Sequence, residues 1–164
     1  MKRVSFAKTV TAGLAAACFA ATPAFTQPVG LSVTNIVTGH YGSLDVKTEN
    51  QKVDHWGMIL KTKDDTDMGT DQITLDGGGQ TGWHTHPAAV FVTVTHGSIV
   101  WRDGTNAMCP GTTYSVGQAF IENAFVIHNA FNASMSEPAV FVAMHINPTG
   151  VPFVTGVPTP GQCH

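Results

Sequence analysis

Seven short runs of strand-forming residues constrain this chain most. They are LSVTNIV (31–37), WGMILKT (56–62), TDQITLD (70–76), AVFVTVT (89–95), SIVWRD (98–103), QAFIEN (118–123) and AVFVAMHI (139–146). Turn-forming stretches lie among them: DGGGQTG (76–82), HGS (96–98), RDGTN (102–106) and CPG (109–111). Beyond the N-terminal stretch, no long amphipathic helix competes with this pattern. Many short strands at close spacing, punctuated by Gly, Asp, Asn and Pro, predict an all-β sandwich or barrel. The acidic stretch TKDDTDMGTD (62–71) reads as a solvated turn region, and 89–103 reads as a hairpin turning at His96-Gly97.

The first residues follow a different logic. Lys2, Arg3 and Lys8 make a basic start, Val10 to Ala21 is a short Ala-rich apolar run, and Thr22-Pro23-Ala24 has the small-residue character of a cleavage site. These are the three parts of a secretory signal. The apolar run falls short of the ~20 residues of a membrane-spanning helix. Cys18 in LAAAC sits one place off the usual lipoprotein spacing, which ranks that alternative lower. Residues 1–24 are therefore expected to be a signal peptide, and 25–164 one exported domain, secreted or periplasmic, with no membrane span in the mature chain.

Cleavage removes three basic residues and no acidic ones, so the formal charge moves from −3 to −6. Only Lys47, Lys52, Lys61, Lys63 and Arg102 remain basic. That leaves no electrostatic footprint for nucleic acid. Cys109 and Cys163 remain after Cys18 departs, and an exported domain can oxidise such a pair. A bridge between them would tie down a Pro- and Gly-rich tail.

GWHTHP (82–87) holds two histidines one residue apart in a strand-like stretch. Alternation sends His84 and His86 to the same side, with Cα atoms ~7 Å apart, so two imidazoles can converge. The surrounding spacing is specific. Gly78 is followed after five residues by His84, after one by His86, after three by Val90 and after six by Gly97. Beyond nineteen intervening residues, Gly117 is followed after five by Asn123, after one by Phe125, after two by His128 and after three by Asn132. In both stretches, 78–97 and 117–132, the chain resembles a small single-domain cupin. The resemblance implies a double-stranded β-helix (jelly-roll) barrel, with the two motifs as neighbouring hairpins lining it. It also implies that His128 joins His84 and His86 as a metal ligand, and that two copies of the chain pair as a homodimer.

The chain departs from the pattern where the family has its glutamate ligand, which falls at Val90, or at Phe91 with the longer spacing. Asn123 stands at the proline and Phe125 at the second glycine of motif two. Three neutral imidazoles leave a divalent ion its full charge, which draws anionic ligands in a low-dielectric barrel. Imidazole sets suit several ions. Three-His cupin centres resemble those of Fe(II) thiol and ring-cleaving dioxygenases, so Fe(II) is preferred, with Zn, Cu, Mn and Ni as other candidates. The expected activity is dioxygenase-like, on a small anionic molecule. Against it stand a non-catalytic small-molecule or metal-binding cupin and, more weakly, a Zn-dependent lyase or isomerase.

Glu122 is a candidate for orienting a ligand histidine or acting as a base, weighed against a solvated edge charge. Asn132 is expected to hold a turn or backbone hydrogen bond. Val90, Val92 and Val94 are expected to make an apolar wall, and Trp83 and Thr85 to point away from the site. His145 reads as satisfied or surface-facing, with a fourth ligand or proton shuttle as the alternative. His40, His55, His96 and His164 read as surface residues, and Trp56 and Trp101 as packing.

Overall fold

Alternating burial along each strand builds the architecture. In the computed structural model, residues 26–48 and 56–163 are described. The signal region 1–24 with Cys18, and His55 and His164, lie outside them. Among the described residues twelve strands follow in order: β1 (Val29–Tyr41), β2 (Asp45–Thr48), β3 (Met58–Lys61), β4 (Thr66–Gln80), β5 (His84–Thr85), β6 (Val90–His96), β7 (Ser98–Asp103), β8 (Gly111–Ser115), β9 (Ala119–Glu122), β10 (His128–Asn132), β11 (Ala139–Pro148) and β12 (Thr155–Gly156). All the ladders between them are antiparallel. One run of neighbours is β1-β4-β11-β6-β9 and the other is β12-β5-β10-β7-β8, and they join where Phe131 of β10 meets Gln80 of β4. The result is an all-β, nearly closed barrel, as the alternation predicts. β2 and β3 form a separate pair.

The inward-facing residues of β4, β6 and β11 make the core. Leu75 and Ile99 are fully buried, and Val90, Val92 and Val94 are each 1% exposed. Burying such side chains contributes ~1.5–3 kcal/mol each. A second, smaller cluster holds Trp83, Cys109 and Cys163, with Ile127 and Val157 against it. Cys109 and Cys163 form a disulfide with Cα atoms 5.5 Å apart. Among the described residues, no helix is long and apolar enough to cross a membrane.

Three local expectations change. The stretch 89–103 is not a hairpin: β6 pairs with β11 and β9, whereas β7 pairs with β10 and β8. Gly97, at φ +67°, turns the chain from one run to the other. Motif one and motif two are accordingly interleaved through β6–β9 and β5–β10 rather than being two separate hairpins. The acidic stretch is strand from Thr66 onward, because Thr66 to Asp71 pair with both β1 and β11. The glycine run also lies within β4, where two β1 residues face a longer stretch of β4 as an irregularity. Its glycines admit a close crossing: a Cβ on Gly77 would lie 2.5 Å from the backbone oxygen of Met135.

Candidate metal centre

His84 and His86 alternate along β5 and the residues just after it, and His128 opens β10 directly opposite His84. Strand pairing thus supplies the third imidazole from 42 positions beyond His86. Ligand atoms from the three histidines all lie within 4.8 Å of one another, and all three side chains are buried.

Each ring is held by its Nδ1. His84 bonds the carbonyl of Gly82 at 2.8 Å, His86 that of Phe153 at 2.8 Å and His128 that of Val126 at 2.9 Å. A carbonyl only accepts, so each Nδ1 carries a proton, and whenever a ring is neutral its lone pair is on Nε2. The Nε2 atoms of His86 and His128 are buried without a hydrogen-bond partner. Ligand histidines of metal sites are oriented in this way, with the outer nitrogen on a carbonyl and the inner one free. The residues therefore fit a divalent transition ion.

Glu122, at the end of β9, is 6% exposed. Its Oε2 lies 3.1 Å from His86 Nε2 and its Oε1 3.2 Å from His128 Nε2. It stands outside the mutually close trio but touches two of its members. Trp101 donates its indole N–H to Glu122 Oε1 at 3.1 Å and stacks on His128 with centroids 5.6 Å apart. Both residues thus belong to the site. Sequence reasoning placed Trp101 only in packing, and gave Glu122 a solvated edge as its bland alternative. A carboxylate is therefore present although Val90 supplies none.

Burial opposes ionisation of Glu122, yet His128 and His86 outweigh it and hold the carboxyl well below the usual range. Burial disfavours a charged His128, and the adjacent Glu122 carboxylate overcomes that and raises its pKa. His84 is pushed down to about 3, first by burial and then by the charge of His128.

A cavity of about 100 Å³ adjoins His84, His86 and Glu122, with Leu31, Val33, Ile73, Phe141 and Ala143 on its apolar side. This is well below the ~300 Å³ where drug-sized pockets begin, so it suits a small molecule. Val90, Val92 and Val94 are buried in the core as expected. The cavity wall, however, comes from β1, β4 and β11. Trp83 packs away from the site, in the disulfide cluster.

His145 is buried rather than surface-facing and reaches this cavity. Its Nε2 lies 3.4 Å from Asp71 Oδ2, and its ring stacks on Phe153 with centroids 4.9 Å apart. Burial, and then the charge of His86, lowers its pKa. The signal was in the alternation: Phe141, Ala143 and His145 share one parity, and all three are buried. His40 is exposed as expected but has a partner, Asp67, at 2.7 Å.

Phe125 takes φ +61° at the place of the motif-two glycine, while 72% exposed. Its N–H donates to the carbonyl of His86 at 2.9 Å, which ties this turn to a candidate ligand histidine. A non-glycine residue in the left-handed region costs ~1–2 kcal/mol. Phe125→Gly is expected to raise unfolding stability by about 1 kcal/mol in urea denaturation, the entropy of glycine offsetting part of the gain. A loss of stability would mean that the ring makes a contact outweighing the strain.

No family model matches the chain, and no curated protein matches it. Solved structures do. A cupin-like protein from Thermotoga maritima is 16% identical, covers 82% of this chain and 80% of its own length, and superposes with a TM-score of 0.53. A protein with a double-stranded β-helix domain from Klebsiella pneumoniae is 19% identical, covering 71% of this chain and 84% of its own, with a TM-score of 0.46. At 16% identity the first of these likenesses shows the fold alone, an all-β barrel of the kind that cupin-like protein has.

Proposed function

We propose that this cupin-fold chain is an exported, transition-metal-dependent enzyme of the Fe(II) dioxygenase-like kind, acting on a small anionic molecule. The observation that carries the reading is the convergence of three buried histidines with every Nδ1 tied to a carbonyl. A bound ferrous ion would supply Lewis acidity for a chelating anion and electrons for dioxygen. The chain would supply the rest. His84, His86 and His128 hold the ion, the apolar wall keeps water from the bound substrate, and the cavity volume limits that substrate's size. The disulfide accords with export. It also favours a second reading. In an oxidising compartment ferrous iron must be kept reduced, whereas Zn or Cu persists, so a Zn- or Cu-holding binding protein without catalysis is the alternative.

Elemental analysis of untagged mature protein from periplasm or medium tests both, beside His84→Ala/His128→Ala. About one equivalent of a transition metal in the wild type and none in the variant is the expected result. Iron with oxygen uptake on addition of small carboxylates, thiols or diketones supports the enzyme. Zn or Cu without turnover supports the binding protein. A folded wild type that takes up no metal, even after reconstitution, overturns both.

A further inference from the structure

We propose that Glu122 is a fourth metal ligand, delivered from the strand beside the one that carries Val90. The proposal rests on the metal reading above. With the Nδ1 protons of His86 and His128 on carbonyls, either ring in its neutral form presents its lone pair at Nε2. An ionised carboxylate presents only acceptors. The two imidazole Nε2 atoms face the two oxygens of one carboxylate at 3.1 and 3.2 Å, and all three side chains are buried. Neither contact is aligned as a hydrogen bond, since both Nε2 atoms lack a partner. The lone pairs thus converge beside the carboxylate rather than on it. Ligand atoms bound at ~2.1 Å and at right angles to each other lie ~3.0 Å apart. The two separations match such adjacent positions.

The ladder explains how the carboxylate arrives. Glu122 is the register partner of Val90 across β9 and β6, and directly opposite residues of an antiparallel pair project to the same face. The barrel interior therefore accepts a side chain from either position. Trp101 completes the arrangement by donating to Oε1, which orients the carboxylate from outside. With Glu122 bound, a divalent ion would keep one net positive charge, enough to attract a small anion.

Titration of apo protein with Co(II), followed by visible absorption and by competition with a chelator, tests the assignment. In Glu122→Gln, the affinity is expected to fall at least tenfold and the ligand-field spectrum to change. In Val90→Glu/Glu122→Val, with the carboxylate returned from the facing position, both are expected to recover toward wild type. A Glu122→Gln spectrum identical to wild type overturns the proposal whatever happens to affinity, because a residue acting only through the histidines leaves the ligand set intact. Should Glu122→Gln fail to fold, the double variant decides: a wild-type-like spectrum supports a ligand, and a three-nitrogen spectrum or lost binding overturns it. A folded wild type that binds no Co(II) removes the metal reading itself, whereas an unchanged Glu122→Gln spectrum removes this assignment alone.

Discussion

Cys163→Ser is expected to lower unfolding stability by about 2–4 kcal/mol and to weaken metal binding, with Cys109→Ser giving the same result. The bridge spans 54 positions, and the chain-entropy model gives ~4 kcal/mol for a loop of that size. The tail it secures does more than close a loop. β12 pairs with β5 through Thr155–Thr85 and Gly156–His84, and Val157 donates its N–H to the carbonyl of Trp83 at 2.9 Å. Upstream of β12, the Phe153 carbonyl holds His86 Nδ1, and the Phe153 ring stacks on His145. Gly69 makes room for that ring, since a Cβ there would lie 2.5 Å from it. Loosening the tail therefore frees the acceptor that orients His86, a proposed ligand, and losses of such partners cost 10- to 100-fold in metal affinity or activity. The metal affinity of the variant is expected to fall toward the lower end of that range, because β12 keeps its two rungs. Urea denaturation and chelator competition measure the two effects. Unchanged stability in both single variants and in reduced wild type would show that the strand contacts alone hold the tail.

Asn132→Asp is expected to cost about 3–5 kcal/mol, as burial of an unpaired charge does. The Asn132 amide donates to three carbonyls: Leu75 at 3.0 Å, Asp76 at 2.9 Å and Glu137 at 2.7 Å. Its Oδ1 accepts from the N–H of Ser134 at 2.9 Å. The side chain thus fastens the end of β10 to the irregular stretch of β4 and to the connection into β11. A carboxylate would turn the donor toward those carbonyls into a charged acceptor. The introduced carboxyl would then have a folded pKa raised above the unfolded value of ~3.9. The deficit should be full above the folded pKa and narrow as the pH falls through it toward the unfolded one. Melting curves at pH 7 and pH 4 check this, and a pH-independent deficit would contradict the charge argument.

How much was legible before the fold is best seen in particular residues. His84, His86 and His128 were legible because alternation and motif spacing are local, and the ladder carries them faithfully. Asn132 was placed in a backbone-holding role for the same reason. The cysteine count made a Cys109–Cys163 bridge possible, and the structure forms it. His145 was left between a satisfied and a surface-facing residue although its parity with Phe141 and Ala143 pointed inward, because a lone histidine on an apolar strand has no partner in the sequence. Its partner, Asp71, lay in a stretch read as a solvated turn.

The sequence by itself determined an all-β chain, the barrel class through its two motifs, and the three imidazoles that face a common point. Only the tertiary structure decided that a carboxylate joins them. Val90 and Glu122 are 32 positions apart, and nothing local says which residue of β9 stands opposite which residue of β6. That register is set by burial of both strands' inner faces, where a slip of one residue would send Glu122 outward. The same holds for Trp101, for Phe153 and for His145 with Asp71: each contact is made by a strand or tail returning from far along the chain. Periodicity tells which way a side chain points, and packing alone tells what it meets there.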